Sequence, residues 1–135
     1  MFETKVVLVI REDLAGWQKL NVAAFLATGV AGAEPGRLGE PYPDAAGRRY
    51  APLLGQPILV FRADLPALRA THVRALDRDL GRAAYVSAMF RTGHDAANRA
   101  AFAAEEADAL DLVGLALWGP RKAVDKAVKG LALHD

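Results

Sequence analysis

The chain has 135 residues, 53% of them apolar and 24% charged, and its 17 basic and 16 acidic side chains leave a net charge of +1. That length suits one domain around one core, residues 1–135, and the near-zero charge excludes a global field for nucleic acid, so any RNA contact would have to come from a local patch. The absence of cysteine rules out disulfides, thiol nucleophiles and thiolate metal sites and suits a reducing, cytoplasmic compartment; Met1 to Lys5 shows no signal-peptide pattern, and no apolar run approaches the roughly 20 residues of a membrane helix.

Lys5 to Ile10 (KVVLVI) is a β-branched run without alternation, the pattern of a strand covered on both faces. Leu14 to Thr28 is helical, with Asp13 as its N-cap and Gly29 as its stop. Apolar types lie almost all round that helix (Trp17, Leu20, Val22, Phe25, Leu26), which predicts a largely buried element. Residues 30 to 56 are rich in Gly and Pro and read as loop, with one short strand or hairpin near Arg48 to Ala51. Pro57 to Phe61 is a second buried strand and Leu65 to Leu80 a second long helix, stopped by Gly81. Ala83 to Val86 gives a short strand and Asp95 to Ala104 a further helix. Asp111 to Trp118 reads as a central strand. Pro120 takes the first position of a last helix that Gly130 closes, and Leu131 to Leu133 forms a short edge strand. Strands and helices thus alternate, which predicts a mixed or mainly parallel four- to five-stranded sheet with helices on both faces.

Four groups of residues could carry chemistry. Arg11 and Asp13 leave the first strand at its carboxyl end, where sites on such sheets gather. Lys19 follows on a nearly all-apolar helix and either presents a desolvated ammonium to an anion or snorkels outward. His72 lies on an apolar stripe with no acid at i±4, as a packed histidine would. Arg91-Thr92-Gly93-His94-Asp95 with Asn98-Arg99 is the densest polar cluster. Thr92 and Asp95 have capping-box spacing, and Asp95 and Arg99 are spaced for an i,i+4 pair. That leaves His94 and Asn98 one turn apart on a shared edge, where His94 could act as base to a water and Asn98 could orient it. Arg121 opens the last helix, at a terminus suited to an anion. No third ligand is spaced for a metal beside His94 and Asp95, and no phosphate loop or nucleophile elbow is present.

Two stretches resemble the type II peptidyl-tRNA hydrolase family. Lys5-Val6-Val7-Leu8-Val9-Ile10-Arg11-Glu12-Asp13-Leu14 is similar to its opening strand and Arg-x-Asp-Leu turn, and Lys19-Leu20-Asn21-Val22-Ala23-Ala24 to its lysine-bearing segment. Val124-Asp125-Lys126-Ala127-Val128-Lys129-Gly130-Leu131, after Gly119-Pro120, is similar to its closing helix. On that register Lys19 matches the family's functional lysine, while Asn21 and Phe25 depart from its second lysine and its glutamine. Tyr85 to Thr92 lacks its acid and keeps only Arg91-Thr92. The whole chain, with Met89-Phe90, Thr92-Gly93-His94-Asp95 and Asn98-Arg99, more closely resembles the uncharacterised family catalogued as domain of unknown function 2000, which this resemblance places on a type II peptidyl-tRNA hydrolase-like fold. The resemblance implies the fold and no activity; the residues themselves are read as a diverged site that binds, and hydrolyses if it is catalytic, a small anionic or carbonyl-containing substrate. Lys19 would stabilise charge, His94 act as base, and Thr92 and Asn98 position groups. Arg11, Asp13, Asp95 and Arg121 would contact substrate, without metal or cofactor. True peptidyl-tRNA hydrolysis, with Asp95 replacing the missing acid, and a non-catalytic interaction module built on Tyr42, Tyr50 and Leu53 stand as alternatives. A homodimer is expected on base rates.

Overall fold

A computed structural model describes residues 2–135. The first strand, β1 (Thr4–Arg11), leads into helix α1 (Gly16–Ala33) and one 3-10 turn over Pro35–Arg37. A two-stranded hairpin follows, β2 (Tyr42–Pro43) and β3 (Arg49–Tyr50). Then come β4 (Ile58–Ala63), α2 (Leu65–Asp77), β5 (Gly81–Val86), a second 3-10 turn (Ser87–Arg91), α3 (Asp95–Ala103), β6 (Leu112–Pro120), α4 (Arg121–Ala127) and β7 (Ala132–Leu133).

The five-stranded sheet runs β5-β6-β1-β4-β7. Of the paired neighbours, β1 and β4 are parallel, while β6 is antiparallel to both β1 and β5, and β7 to β4. The sheet is therefore mixed, with β1, β4 and β5 sharing one direction.

Period-two alternation assigns strand residues to faces, with one slip in β6 at Val113, where its pairing with β5 shifts register. Val7 and Val9 join Leu68 and Ala75 of α2 and Val124 and Ala127 of α4 on one side. Val6, Leu8 and Ile10 meet Val22, Leu26 and Val30 of α1 on the other. β6 contributes to both: Leu112, Leu115 and Leu117 to the first core, Val113, Ala116 and Trp118 to the second. Burying each such aliphatic side chain is worth about 1.5–3 kcal/mol before chain entropy is charged against it.

Several boundaries differ from expectation for definite reasons. Asp13 does not cap α1; its carboxylate accepts a hydrogen bond from Arg11 Nε at 2.7 Å, and the helix starts at Gly16, with Gln18 Oε1 accepting the Ala15 N–H at 3.0 Å. Gly29 does not end α1, which continues to Ala33. A Cβ at Gly29 would lie 3.0 Å from the Ala83 Cβ, so the missing side chain lets the helix lie close on β5. Nor is α1 largely buried: Trp17, Leu20 and Phe25 are 63%, 75% and 53% exposed. Asp64 caps α2 through the Ala67 N–H. That helix ends at Asp77 with Asp79 in the left-handed region (φ 48°), while Gly81 begins β5. Pro120 closes β6 instead of opening α4.

Candidate functional site

The side chains expected to meet in one pocket are dispersed. Arg11 spans Asp13 (2.7 Å) and Asp111 (3.0 Å) at the end of β1 and also reaches the Leu112 carbonyl at 3.4 Å. Burial opposes its charged form, but the hydrogen bonds to the two carboxylates outweigh it and raise its pKa. Arg11 thus ties the end of β1 to the start of β6, and Asp13 is held by Arg11. Arg121 is at the other end of β1: its Nε and Nη2 donate to the Phe2 carbonyl at 3.0 and 2.6 Å, and its backbone N–H to Glu3. Both arginines, expected as anion contacts, are engaged by groups of the chain itself at opposite ends of β1. Lys19 also goes elsewhere. Its Nζ lies 3.2 Å from His134 Nε2, just beyond β7, and it lines neither of the recesses described below.

What the fold does bring together is a recess of 330 Å³ beside α1 and the end of the edge strand β5. Trp17, Asn21 and Phe25 come from α1, Tyr85 from β5, Met89 and Phe90 from the 3-10 turn, and Thr92, His94, Asp95 and Asn98 from the start of α3. Its wall is a chain of aromatic contacts. Phe25 meets Tyr85 at 5.9 Å between ring centroids, Tyr85 meets Phe90 at 5.3 Å, and Phe90 meets Trp17 edge-on at 5.8 Å. Each such pair contributes about 0.5–1.5 kcal/mol beyond its buried area, enough to set one helix against the turn opposite.

Hydrogen bonding determines what the polar groups offer. Asn21 Nδ2 donates to the Tyr85 hydroxyl at 3.4 Å, which leaves the phenol its own proton to give. Thr92 Oγ1 has one proton for two acceptors, Asn98 Oδ1 and the Met89 carbonyl at 2.9 Å; given to Asn98, it anchors the amide by its oxygen and leaves Nδ2 to the recess. The capping box from Thr92 to Asp95 does not form. The cap of α3 is His94, whose Nδ1 accepts the Ala97 N–H at 3.2 Å. With that lone pair occupied, the neutral ring carries its proton on Nε2 and shows a donor to its surroundings. His94 is therefore not placed as a base. Asp95 pairs with Arg99 at 2.7 Å, as the i,i+4 spacing predicted, and both side chains are exposed.

A second recess of 630 Å³ adjoins the first and shares Phe25, Tyr85, Met89, Asp95 and Asn98 with it. His72 of α2 and Arg82 of β5 supply its further titratable groups, with Arg99. Burial pushes the His72 pKa down, the Arg82 charge pushes it further, and Asp108 pulls against both. Among the described residues no cluster of three or more His, Asp or Glu could hold a metal ion, and no helix is long and apolar enough to cross a membrane.

Neither the aromatic wall nor Asn21 and Arg82 was expected at a site, and His72, expected as a packed histidine, lines the larger recess. One signal was available: a helix lying on one sheet cannot bury Trp17, Leu20 and Phe25 together with Val22, Leu26 and Val30, so part of that apolar surface had to face something else.

The arrangement has a close counterpart. A solved structure of a protein of unknown function from Agrobacterium tumefaciens strain C58 superposes with a TM-score of 0.97 at 50% identity over 100% of both chains. No curated protein matches the chain. Residues 4–135 match the model of the family described as protein of unknown function (DUF2000), and the chain belongs to that family.

Proposed function

We propose that this protein binds a small carbonyl- or carboxylate-bearing molecule in the recess between α1, the end of β5 and the start of α3. A flat apolar body would lie against Trp17, Phe25 and Phe90, and an acceptor oxygen would meet the donors of Tyr85, Asn98 and His94. The observation that carries this reading is the sign of the polar lining: hydrogen bonds inside the wall leave the Tyr85 phenol, the Asn98 amide and the His94 ring each with a proton to give. Apolar walls with a few convergent polar groups are the usual make-up of a small-molecule site. An acceptor held by two or three such donors gains roughly 1 kcal/mol from each.

Binding without hydrolysis is the form we favour, because the His94 lone pair facing α3 is spent on its cap. Peptidyl-tRNA hydrolysis is supported less well, since it relies on Lys19 at the site and Lys19 reaches His134. The exposure of Tyr42, Tyr50 and Leu53 favours a second reading, a protein partner seated on the hairpin.

The test is a ligand-observed NMR screen of small aromatic amides, ketones and carboxylates against wild type and Asn98→Ala. The proposal expects hits that weaken about five- to tenfold in the variant, the equivalent of one hydrogen bond. A set of hits indifferent to Asn98→Ala, or no hits at all, refutes it.

A further inference from the structure

We propose that the larger recess is the second half of the same site and takes a carboxylate, held by Arg82 with His72 beside it, so that the ligand is a monoanion with its charge on one side of Asn98 and its carbonyl on the other. This rests on the reading of the smaller recess as the ligand's apolar seat.

Three observations lead there. First, the two recesses adjoin: Phe25, Tyr85, Met89, Asp95 and Asn98 line both, so a molecule seated on Tyr85 and Asn98 lies at the border of the larger space. Second, the cations of that space are unequal. Arg99 is bound to Asp95 at 2.7 Å, which neutralises it locally. Among the described residues Arg82 has the Leu80 carbonyl at 3.1 Å and, at 3.8 Å, an Asp79 carboxylate that is wholly exposed. Most of its five donors remain free, in the planar fork that matches a carboxylate. Third, His72 enters from α2, half-buried, and lines the recess without a side-chain hydrogen-bond partner among the described residues. Its ring nitrogens are therefore open to a ligand oxygen.

The charge count favours a carboxylate over a phosphate. One free guanidinium and an imidazole that is neutral near pH 7 balance one negative charge. A dianion would find no second unpaired cation there, because Arg99 is taken by Asp95. The other charged group acting on His72, Asp108, opposes an anion as well.

The experiment uses hippurate, which joins an aromatic ring and an amide carbonyl to a carboxylate, and its uncharged amide. Affinities of both are measured by calorimetry for wild type, Arg82→Gln and Asn98→Ala. Wild type should prefer hippurate by about tenfold, the worth of one charge-assisted hydrogen bond. Arg82→Gln should abolish the preference by weakening hippurate alone, and Asn98→Ala should weaken both compounds while keeping it. The His72 ring, followed by NMR, should titrate at higher pH with hippurate bound than with the amide, a shift that a merely structural Arg82 would not produce. Equal binding of the two compounds to wild type, or a preference that survives Arg82→Gln, overturns the anion site and leaves the apolar seat standing. Failure of both compounds to bind removes the seat, and the anion site with it.

Discussion

Replacing Gly114 by alanine tests how tightly α1 is held on the sheet, and with it the geometry of the recess that α1 walls. Gly114 lies in β6 opposite Ile10 and Tyr85. A Cβ there would come 2.5 Å from Val22 Cγ1 and 3.0 Å from Leu26 Cδ1, with Ile10 Cδ1 at 3.5 Å. Val22 is fully buried and Leu26 is 2% exposed, so neither can swing into solvent and the helix must lift. Overpacking of this kind costs about 1–3 kcal/mol, and the lower entropy of the unfolded alanine chain returns about 0.4–1 kcal/mol. The net loss is about 1–2 kcal/mol, which for a chain of this length lowers Tm by about 4–7 °C. Gly32→Ala is the matched control. It lies near the end of the same helix, where an added Cβ meets nothing within 4 Å, and should leave stability unchanged or raise it by up to about 1 kcal/mol. Thermal melts followed by circular dichroism, with urea titrations for the free energy, measure both. A Gly114→Ala protein as stable as wild type would refute the packing argument.

Two further outcomes follow from the site. His94→Ala should destabilise by about 0.5–1 kcal/mol through loss of the α3 cap, and His94→Asn, which restores a capping oxygen, should recover most of it in urea titrations; equal losses would mean that the ring does not act as a cap. His72 has a folded-state pKa below its ordinary value of 6.5, because burial and then Arg82 disfavour its charged form. Its contribution is therefore present above pH 6.5 and is lost as pH falls through the lowered folded value, since the unfolded chain takes up the proton first. His72→Gln should flatten the fall of stability with pH below 6.5, measured by urea titration across that window, and an unchanged slope would contradict the assignment.

Much of the fold was legible because burial on two faces leaves a composition that nothing else imitates. The runs at Val6 to Ile10 and Leu112 to Trp118 are strands for that reason, while Ile58 to Phe61, expected to be a buried strand, is a strand that is only half-buried. Helix ends were harder. Gly29 and Gly81 carry the usual stop residue, yet each serves close packing instead, the first against Ala83 and the second under the Trp118 indole. Asp13 and Thr92 had capping spacing, but stronger partners in Arg11 and Asn98 claimed them.

The site was legible only in part. Thr92, His94 and Asn98 were found because they lie within seven residues of one another, and the structure keeps them together. Their link to Lys19 depended on strand order, which local sequence does not encode. Once β6 lies between β1 and β5, the flank of α1 over β5 is the one bearing Trp17, Asn21 and Phe25. Lys19 then points to His134 beyond β7 at the other edge of the sheet. Likewise the carboxyl end of β1, the usual place for a site, is closed by Arg11 holding Asp13 and Asp111.

The most direct test of the binding site is a two-dimensional NMR titration of isotope-labelled protein with hippurate. The Trp17 indole and the side-chain amides of Asn21 and Asn98 should shift together and saturate at one ligand per chain, while the signals of Lys19, His134 and the Tyr42–Tyr50 hairpin stay in place. Shifts confined to the hairpin or to the Lys19 flank, with Asn98 unmoved, would contradict a ligand site at the end of β5.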